Sequence, residues 1–245
     1  MTATTSRTAF VEPVEETHWW FVATRELIAA AALAAVPPPA RVLDLGCGTG
    51  RVVMQLDARY ERLGVDADPE AIELARSRAG EGARFEVGDA LNVPCEDGWA
   101  DLGICLDVLT DDGVSDPVAA VRELRRALRP GGVALVQVPA HPWLRSGHDV
   151  GARIARRHDR EGFARLLGEG GLRVERMTHR VTAVFPLAVV WRLLGRGRRT
   201  SDVGPVPAPV NTTLLGIGHA ENRLLLGGRN LPFGLSLLAW ARRDT

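Results

Sequence analysis

Short apolar runs, each ending in an acidic residue or a glycine, alternate along this chain with Ala/Leu-rich stretches. A brief apolar run bounded by turn residues marks a buried strand, and a longer amphipathic or alanine-rich stretch marks a helix. A helix is predicted from about Ala23 to Val36, stopped by Pro37-Pro38-Pro39, because proline lacks the N–H and clashes with the preceding turn. A strand through Val42-Leu43-Asp44-Leu45 breaks into Gly46-Cys47-Gly48-Thr49-Gly50, and a helix follows through Arg51–Arg59. Leu63–Val65 is a short strand ending at Asp66. Asp68 then caps a helix to about Arg78, with Pro69 in its first turn. Ala83–Val87, Asp101–Leu106 and Val133–Val138 are further strands, and Pro117–Leu128 is a helix that stops at Pro130-Gly131-Gly132. The remainder predicts a helix over Asp159–Gly168, a strand over Leu172–Thr182 and an apolar helix over Phe185–Leu194. A mobile Gly/Arg/Pro-rich loop is expected over Gly195–Pro209, then a helix over Thr212–Leu226 and a strand over Gly234–Ala241.

Strands and helices alternating at this spacing imply an α/β fold with a doubly wound, mostly parallel sheet. A chain of 245 residues suits one such domain. Thirty basic and thirty acidic residues cancel, which argues against a nucleic-acid surface and against a charged interaction tail. Three cysteines (Cys47, Cys95, Cys105) are few and odd in number, and are expected to be reduced thiols of a cytoplasmic protein. No basic-then-apolar leader opens the sequence. The longest apolar stretch, Val181 to Leu194, is interrupted by Pro186 and Arg192 and falls short of the roughly 20 residues of a spanning helix. It is left as one candidate membrane-facing segment.

The strand end at Asp44-Leu45-Gly46-Cys47-Gly48-Thr49-Gly50 carries the chemistry. Glycines at alternate positions let backbone approach a ligand that a Cβ would hold away, and the free N–H groups of a following helix would face it. No Gly-Lys-Ser/Thr follows, so this is no P-loop. Arg51 stands where a dinucleotide fingerprint needs glycine or alanine for close helix–strand packing. Twenty residues after Gly46, Asp66 closes the second strand, followed by Ala67, where a carboxylate accepts both hydroxyls of a ribose. Gly88-Asp89-Ala90 closes the third strand and Leu106-Asp107-Val108 the fourth.

This series of an acidic-x-Gly-x-Gly-x-Gly turn and acids at successive strand ends resembles the class I S-adenosylmethionine-dependent methyltransferases, over residues 40–140. The resemblance implies a seven-stranded, Rossmann-like sheet with an antiparallel C-terminal strand and helices inserted before it. It implies one domain over 1–245: an N-terminal lid helix (1–39), a cofactor-binding core (40–140) and a substrate-side half (141–245) with a helical insertion at about 183–228. S-adenosylmethionine would be the cofactor and S-adenosylhomocysteine the product. Gly46, Cys47, Gly48 and Gly50 would line the cofactor, Asp66 and Ala67 the ribose, Asp89 and Ala90 the adenine, and Leu106 the floor below the methionine. Asp44 would orient the turn and receive the methionine ammonium. The His18-Trp19-Trp20-Phe21 and Pro232-Phe233-Gly234-Leu235-Ser236-Leu237 stretches match a subset of the family. There Trp20 would lie beside the sulfonium, a cation–π contact of about 1–2 kcal/mol, and Arg25 would clamp the methionine carboxylate. Two departures stand out. Thr110-Asp111 replaces the Glu-His of many relatives, which argues against a metal, and Ile154 and His158 flank Arg156-Arg157 where the subset has His and Tyr.

Methyl transfer from a sulfonium is an in-line displacement that the protein mainly positions. Where the acceptor also loses a proton, a histidine of near-neutral pKa is the usual base. His141, directly after the fifth strand, leads the candidates. His148, paired with Asp149, and His18 in the lid follow. The expected activity is methylation of a small molecule, with no nucleic-acid partner, by a monomer or homodimer. The rival readings are a cofactor-binding fold that cyclises, rearranges or merely binds, and a methyltransferase of a lipid-linked acceptor at a membrane.

Overall fold

The computed structural model describes residues 12–194 and 204–245. Seven strands form one sheet: β1 (Arg41–Leu45), β2 (Glu61–Asp66), β3 (Ala83–Val87), β4 (Ala100–Leu106), β5 (Leu128–Pro139), β6 (Leu172–Arg180) and β7 (Ser236–Arg243). Their order is β3-β2-β1-β4-β5-β7-β6. The pairs β1–β2, β1–β4, β2–β3 and β4–β5 are parallel, and β7 runs antiparallel to both β5 and β6. The mostly parallel, seven-stranded architecture with one antiparallel C-terminal strand is the one expected. The chain winds outward from β1 to β3, then returns to place β4 on the other side of β1. Ligands of such sheets bind at this reversal, outside the carboxyl ends of the strands.

Helices cover both faces: α1 (Trp19–Ala35), α2 (Arg51–Gln55), α3 (Pro69–Ser77), α4 (Pro117–Ala127), α5 (Gly147–Gly151), α6 (Arg160–Glu169), α7 (Phe185–Leu194) and α8 (Ala208–Leu226). On one face Leu27, Ile28, Ala31 and Ala32 of α1 and Leu225 of α8 pack on Leu102, Ile104, Leu135 and Leu238. On the other, Val121 and Leu124 of α4 and Phe163 and Leu167 of α6 pack on Leu43, Cys105 and Val136. Helices on both faces explain why β1, β2, β4 and the second half of β5 are buried runs rather than alternating ones, whereas the edge strand β3 buries only Phe85. Helices α7 and α8 lie between β6 and β7 in the chain, the insertion expected there.

Several boundaries move for local reasons. Helix α1 begins at Trp19 rather than Ala23, because the His18 side chain accepts from the Trp20 N–H and caps it. Helix α2 ends at Gln55 rather than Arg59. Beyond it Asp57 draws in both the backbone and the guanidinium of Arg59, which closes a turn instead. Strand β5 already starts at Leu128, so Pro130-Gly131-Gly132 lies within its span, opposite a register shift in β4. Helix α8 takes up Ala208 and Pro209 from the end of the expected loop, whose residues 195–203 lie outside the described residues. Among the described residues no helix is long and apolar enough to cross a membrane.

Candidate active site

The glycine turn, Asp66 and Gly88-Asp89 meet at the carboxyl edge of the sheet. Gly46 and Cys47 donate to the Val65 carbonyl at 2.7 and 3.0 Å, Gly48 donates to Asp66 Oδ2 at 2.8 Å, and Gly88 donates to the Asp66 carbonyl at 2.9 Å. These bonds correct one expectation. Four amides of the turn, including Gly50 on the Cys47 carbonyl, are spent inside the protein rather than bared to a ligand. What the turn offers instead is space. Gly48 has φ +53°, and a Cβ built on it would meet no protein atom within 4 Å. Gly46 differs: with φ +76°, its Cβ would fall 2.0 Å from Val108 Cγ2, so packing alone demands glycine there. Gly50 caps α2 in the left-handed region, pressed on Phe85. Cys47 is buried and its Sγ turns to the Gly48 carbonyl, with burial pushing the thiol pKa well up.

The carboxylates divide into held and unheld. Asp66 accepts from Gly48 N–H on one oxygen and from Asp68 N–H, at 2.9 Å, on the other, which fixes its plane toward the opening. Asp89 is exposed, one oxygen accepting from the Leu91 N–H in a turn. Ala67 is exposed beside Asp66, Ala90 is buried and Leu106 half-buried. Asp44 is 2% exposed, and its Oδ2 is buried without a hydrogen-bond partner. Burial, and then the neighbouring Asp66 charge, push its pKa up to about 7. An unpaired buried carboxyl is costly, and a cation placed before it removes the cost.

The N-terminal segment closes one side of this opening, through a residue that sequence reasoning missed. Glu15 is buried and accepts from Thr49 Oγ1 of the turn, from Arg78 Nη1 at 2.9 Å and from Arg51 Nε at 3.3 Å. The expected roles of two neighbours change. Arg25 donates Nη1 to the Glu15 carbonyl and Nη2 to the Glu16 carbonyl, so its fork clamps the strap rather than standing ready for a carboxylate. His18 is buried with Nδ1 committed to the cap of α1, which takes it out of proton transfer at that nitrogen. Trp20 is half-buried, edge-on to Phe21 at 4.9 Å between centroids.

The ends of β5, β6 and β7 build a second, aromatic side. His141, held at φ +63°, stacks on His179 at 5.3 Å with an 8° interplanar angle and touches Phe185, which touches Phe233. Its Nε2 is buried without a partner, and burial holds its pKa below the usual 6.5. His179 is lowered too, by burial and then by His141. The expected His148–Asp149 pair falls partly outside the described residues. Asp149 makes a buried two-pronged bridge to Arg157 at 2.6 and 2.7 Å, and the His148 side chain lies outside what is described. Behind these rings Asp107 accepts from Gln137 Nε2 at 2.8 Å, and Gln137 Oε1 accepts from Arg180 Nη1 at 2.7 Å. His179, Gln137 and Arg180 left no sequence signal, since each partner lies on another strand. Thr110 is fully buried, its hydroxyl on the Asp107 carbonyl, and turns away from the opening.

Residues 42–132 match a methyltransferase domain family. The chain is 37% identical over 118 residues to a demethylmenaquinone methyltransferase of Deinococcus radiodurans, covering 45% of this chain and 48% of that one. It is 32% identical over 110 residues to norajmaline N-methyltransferase of Rauvolfia serpentina, covering 42% and 37%. The chain thus spans about half or less of these curated relatives. Among solved structures, geranyl diphosphate C-methyltransferase of Streptomyces coelicolor superposes with a TM-score of 0.64 over 99% of this chain and 88% of that one. At 17% identity it speaks for the fold alone. The glycine turn and the strand-end carboxylates all lie within the matched residues 42–132, so this stretch is similar to the methyltransferase domain family, and the whole chain shares the fold of the solved methyltransferases.

Proposed function

We propose that this protein transfers the methyl group of S-adenosylmethionine to a small molecule with an apolar body, acting as one domain. The core at 40–140 would hold the cofactor, and the half at 141–245 would hold the acceptor under α7 and α8. The observation that carries the reading is the open space at Gly48, whose amide Asp66 holds, together with the buried Oδ2 of Asp44 that has no hydrogen-bond partner. When bound, the cofactor supplies an electrophilic methyl group on a positive sulfonium. The residues fit it. Asp66, its plane set by two backbone donors, accepts from ribose hydroxyls; Asp89 keeps one oxygen outside its turn for the adenine edge; and Asp44 receives an ammonium. Leu106 and Trp20 flank the reacting end, and Trp20 presents an aromatic face to positive charge. The balanced net charge and the aromatic wall at His141, Phe185 and Phe233 favour a small apolar acceptor over nucleic acid.

His141 is the base this reading selects, where the acceptor must lose a proton. Its lowered pKa keeps it neutral at pH 7, and its unpartnered Nε2 is available to accept. Purified protein incubated with methyl-labelled cofactor and quinol, indole-alkaloid and prenyl acceptors is expected to yield a labelled, mass-shifted product. The rate is expected to rise through a limb below pH 6.5 that His141→Asn abolishes, with a loss of about 10²-fold. Tight binding of S-adenosylhomocysteine without label transfer to any acceptor would overturn the transfer reading in favour of a cofactor-binding or rearranging protein.

A further inference from the structure

The polarity of helix α7 is inverted. Arg192 is its one charged residue, and that side chain is turned inward, 8% exposed. Among the described side chains of the helix, those that face solvent are Pro186, Leu187, Val190 and Trp191. Leu187 is 71%, Trp191 60% and Val190 54% exposed. Residues three and four apart share one side of a helix, so these three form a single apolar stripe. A helix on an aqueous surface turns its charges outward and its apolar stripe to the core. Helix α4 does so, burying Ala120, Val121 and Leu124 while Arg122 is exposed.

The apolar surface continues beyond the helix. Phe185, at its start, lies 6.4 Å from the Trp143 ring and 5.7 Å from the Phe233 ring, and both of those rings are exposed. Helix α8 carries no charged residue before Glu221. Contiguous apolar surface of this kind marks a contact with something other than water. The charges bordering it are positive. Arg145, two residues after Trp143, is exposed, and the sequence runs on from α7 as Gly195-Arg196-Gly197-Arg198-Arg199 with no acid before Asp202. The chain as a whole is neutral, so this excess is local. Tryptophan and aliphatic side chains bordered by arginines suit an anionic lipid surface, where indole sits among the headgroups and arginine meets their charge. A two-fold contact between copies of the chain would instead bring like charges together.

We propose that α7, with Trp143 and Phe233 beside it, is a membrane-docking face that lies in the headgroup region of an anionic bilayer without crossing it. Interfacial helices of this kind bury their apolar side chains about 5–10 Å deep, and among the described residues no helix is long and apolar enough to span. Phe185 also touches His141. Docking therefore sets the aromatic wall of the site against the lipid, the phase in which an apolar molecule concentrates. The face itself does not depend on the methyltransferase reading.

Flotation of the whole protein with lipid vesicles tests the proposal. Vesicles of phosphatidylcholine with about one-third phosphatidylglycerol are expected to carry the protein up the gradient, and phosphatidylcholine alone to bind it about tenfold more weakly. Raising the salt to about 0.5 M is expected to weaken binding to the anionic vesicles by screening. Leu187→Glu combined with Trp191→Glu is expected to lower partitioning onto them about tenfold. Its melting temperature is expected to stay that of the natural protein, since both side chains face solvent. Leu33→Glu, at an exposed apolar position of α1, is expected to float as the natural protein does. Protein left wholly at the bottom of the gradient, equal binding to the two vesicle types, or undiminished flotation of the α7 variant would overturn the proposal. So would a lipid-free dimer, seen by sedimentation, that the α7 variant splits into monomers, because a second copy would then be what covers this face.

Discussion

Gly48 and Asp66 illustrate how single residues at one strand end divide their labour. An added Cβ at Gly48 meets open space rather than protein, so a larger side chain there displaces ligand and leaves the core untouched. Its positive φ adds backbone strain of roughly 1 kcal/mol for a non-glycine residue. Asp66 offers charge to the same space while its two oxygens hold the Gly48 and Asp68 amides. Gly48→Val is therefore expected to abolish S-adenosylhomocysteine binding with a small fall in melting temperature. Asp66→Ala is expected to weaken binding by about 1–3 kcal/mol through lost charge-assisted hydrogen bonds, together with some slackening of the turn. Calorimetry and thermal unfolding on both variants check this, and unchanged affinity in both would place the cofactor elsewhere. The glycines and the acids were legible because a strand-end turn is a local event, written in consecutive residues. That the turn's amides are consumed by Val65 and Asp66 was not legible, since those bonds depend on how far β2 extends beside β1.

At the level of elements, the segment before α1 is a strap fastened to the glycine turn by one carboxylate. Glu15 gathers Thr49 from the turn, Arg51 from α2 and Arg78 from the end of α3, so three elements converge on a side chain 5% exposed. Removing one member of a buried charge network leaves the others uncompensated. Arg51 and Arg78 keep 29% and 21% of their side-chain surface in solvent, which softens that penalty. Glu15→Gln is expected to cost about 1–3 kcal/mol of stability and to weaken S-adenosylhomocysteine, because the strap borders the opening over Thr49. Thermal unfolding and calorimetry on the variant test both effects; a loss of stability with unaltered affinity would confine Glu15 to the fold. The His18–Phe21 aromatics marked this region in the sequence, yet the anchor is the acid three residues earlier. Its partners lie 34, 36 and 63 residues away, and no local pattern encodes such spacing. The same distance effect hid Arg180, whose partner Gln137 is 43 residues off. Strand β3 and helices α3, α4 and α7 were by contrast written locally, in caps, prolines and short alternating or largely apolar runs.

The whole molecule is arranged around a carboxyl that its own core disfavours. Asp44 sits on the central strand, flanked by Gly64 of β2 and Ile104 of β4, where burial and Asp66 hold its pKa near 7. In the unfolded chain an aspartate titrates near 4. Below about pH 4 the group is neutral in both states and costs nothing by ionisation. As pH rises from there through about 7 the folded protein retains a proton that the unfolded chain has lost, so this group's contribution to stability falls, and above that range the loss is complete. The difference amounts to about 2–4 kcal/mol at pH 8, at 1.36 kcal/mol per pKa unit. Asp44→Asn, which keeps the shape and removes the charge, is thus expected to be more stable than the natural protein at pH 8 and closer to it at pH 5. A ligand ammonium would restore to the ionised carboxyl the partner that the fold withholds. Ligand stabilisation grows as RT ln(1 + [L]/Kd), so S-adenosylhomocysteine is expected to raise the melting temperature of the natural protein more at pH 8 than at pH 6, and that of Asp44→Asn less and equally at both. Thermal unfolding of the two proteins across this range, with and without ligand, measures all four quantities. A variant less stable than the natural protein at pH 8, or one with an undiminished ligand shift, would mean that Asp44 is paired within the fold and that the cation it awaits is not the cofactor's.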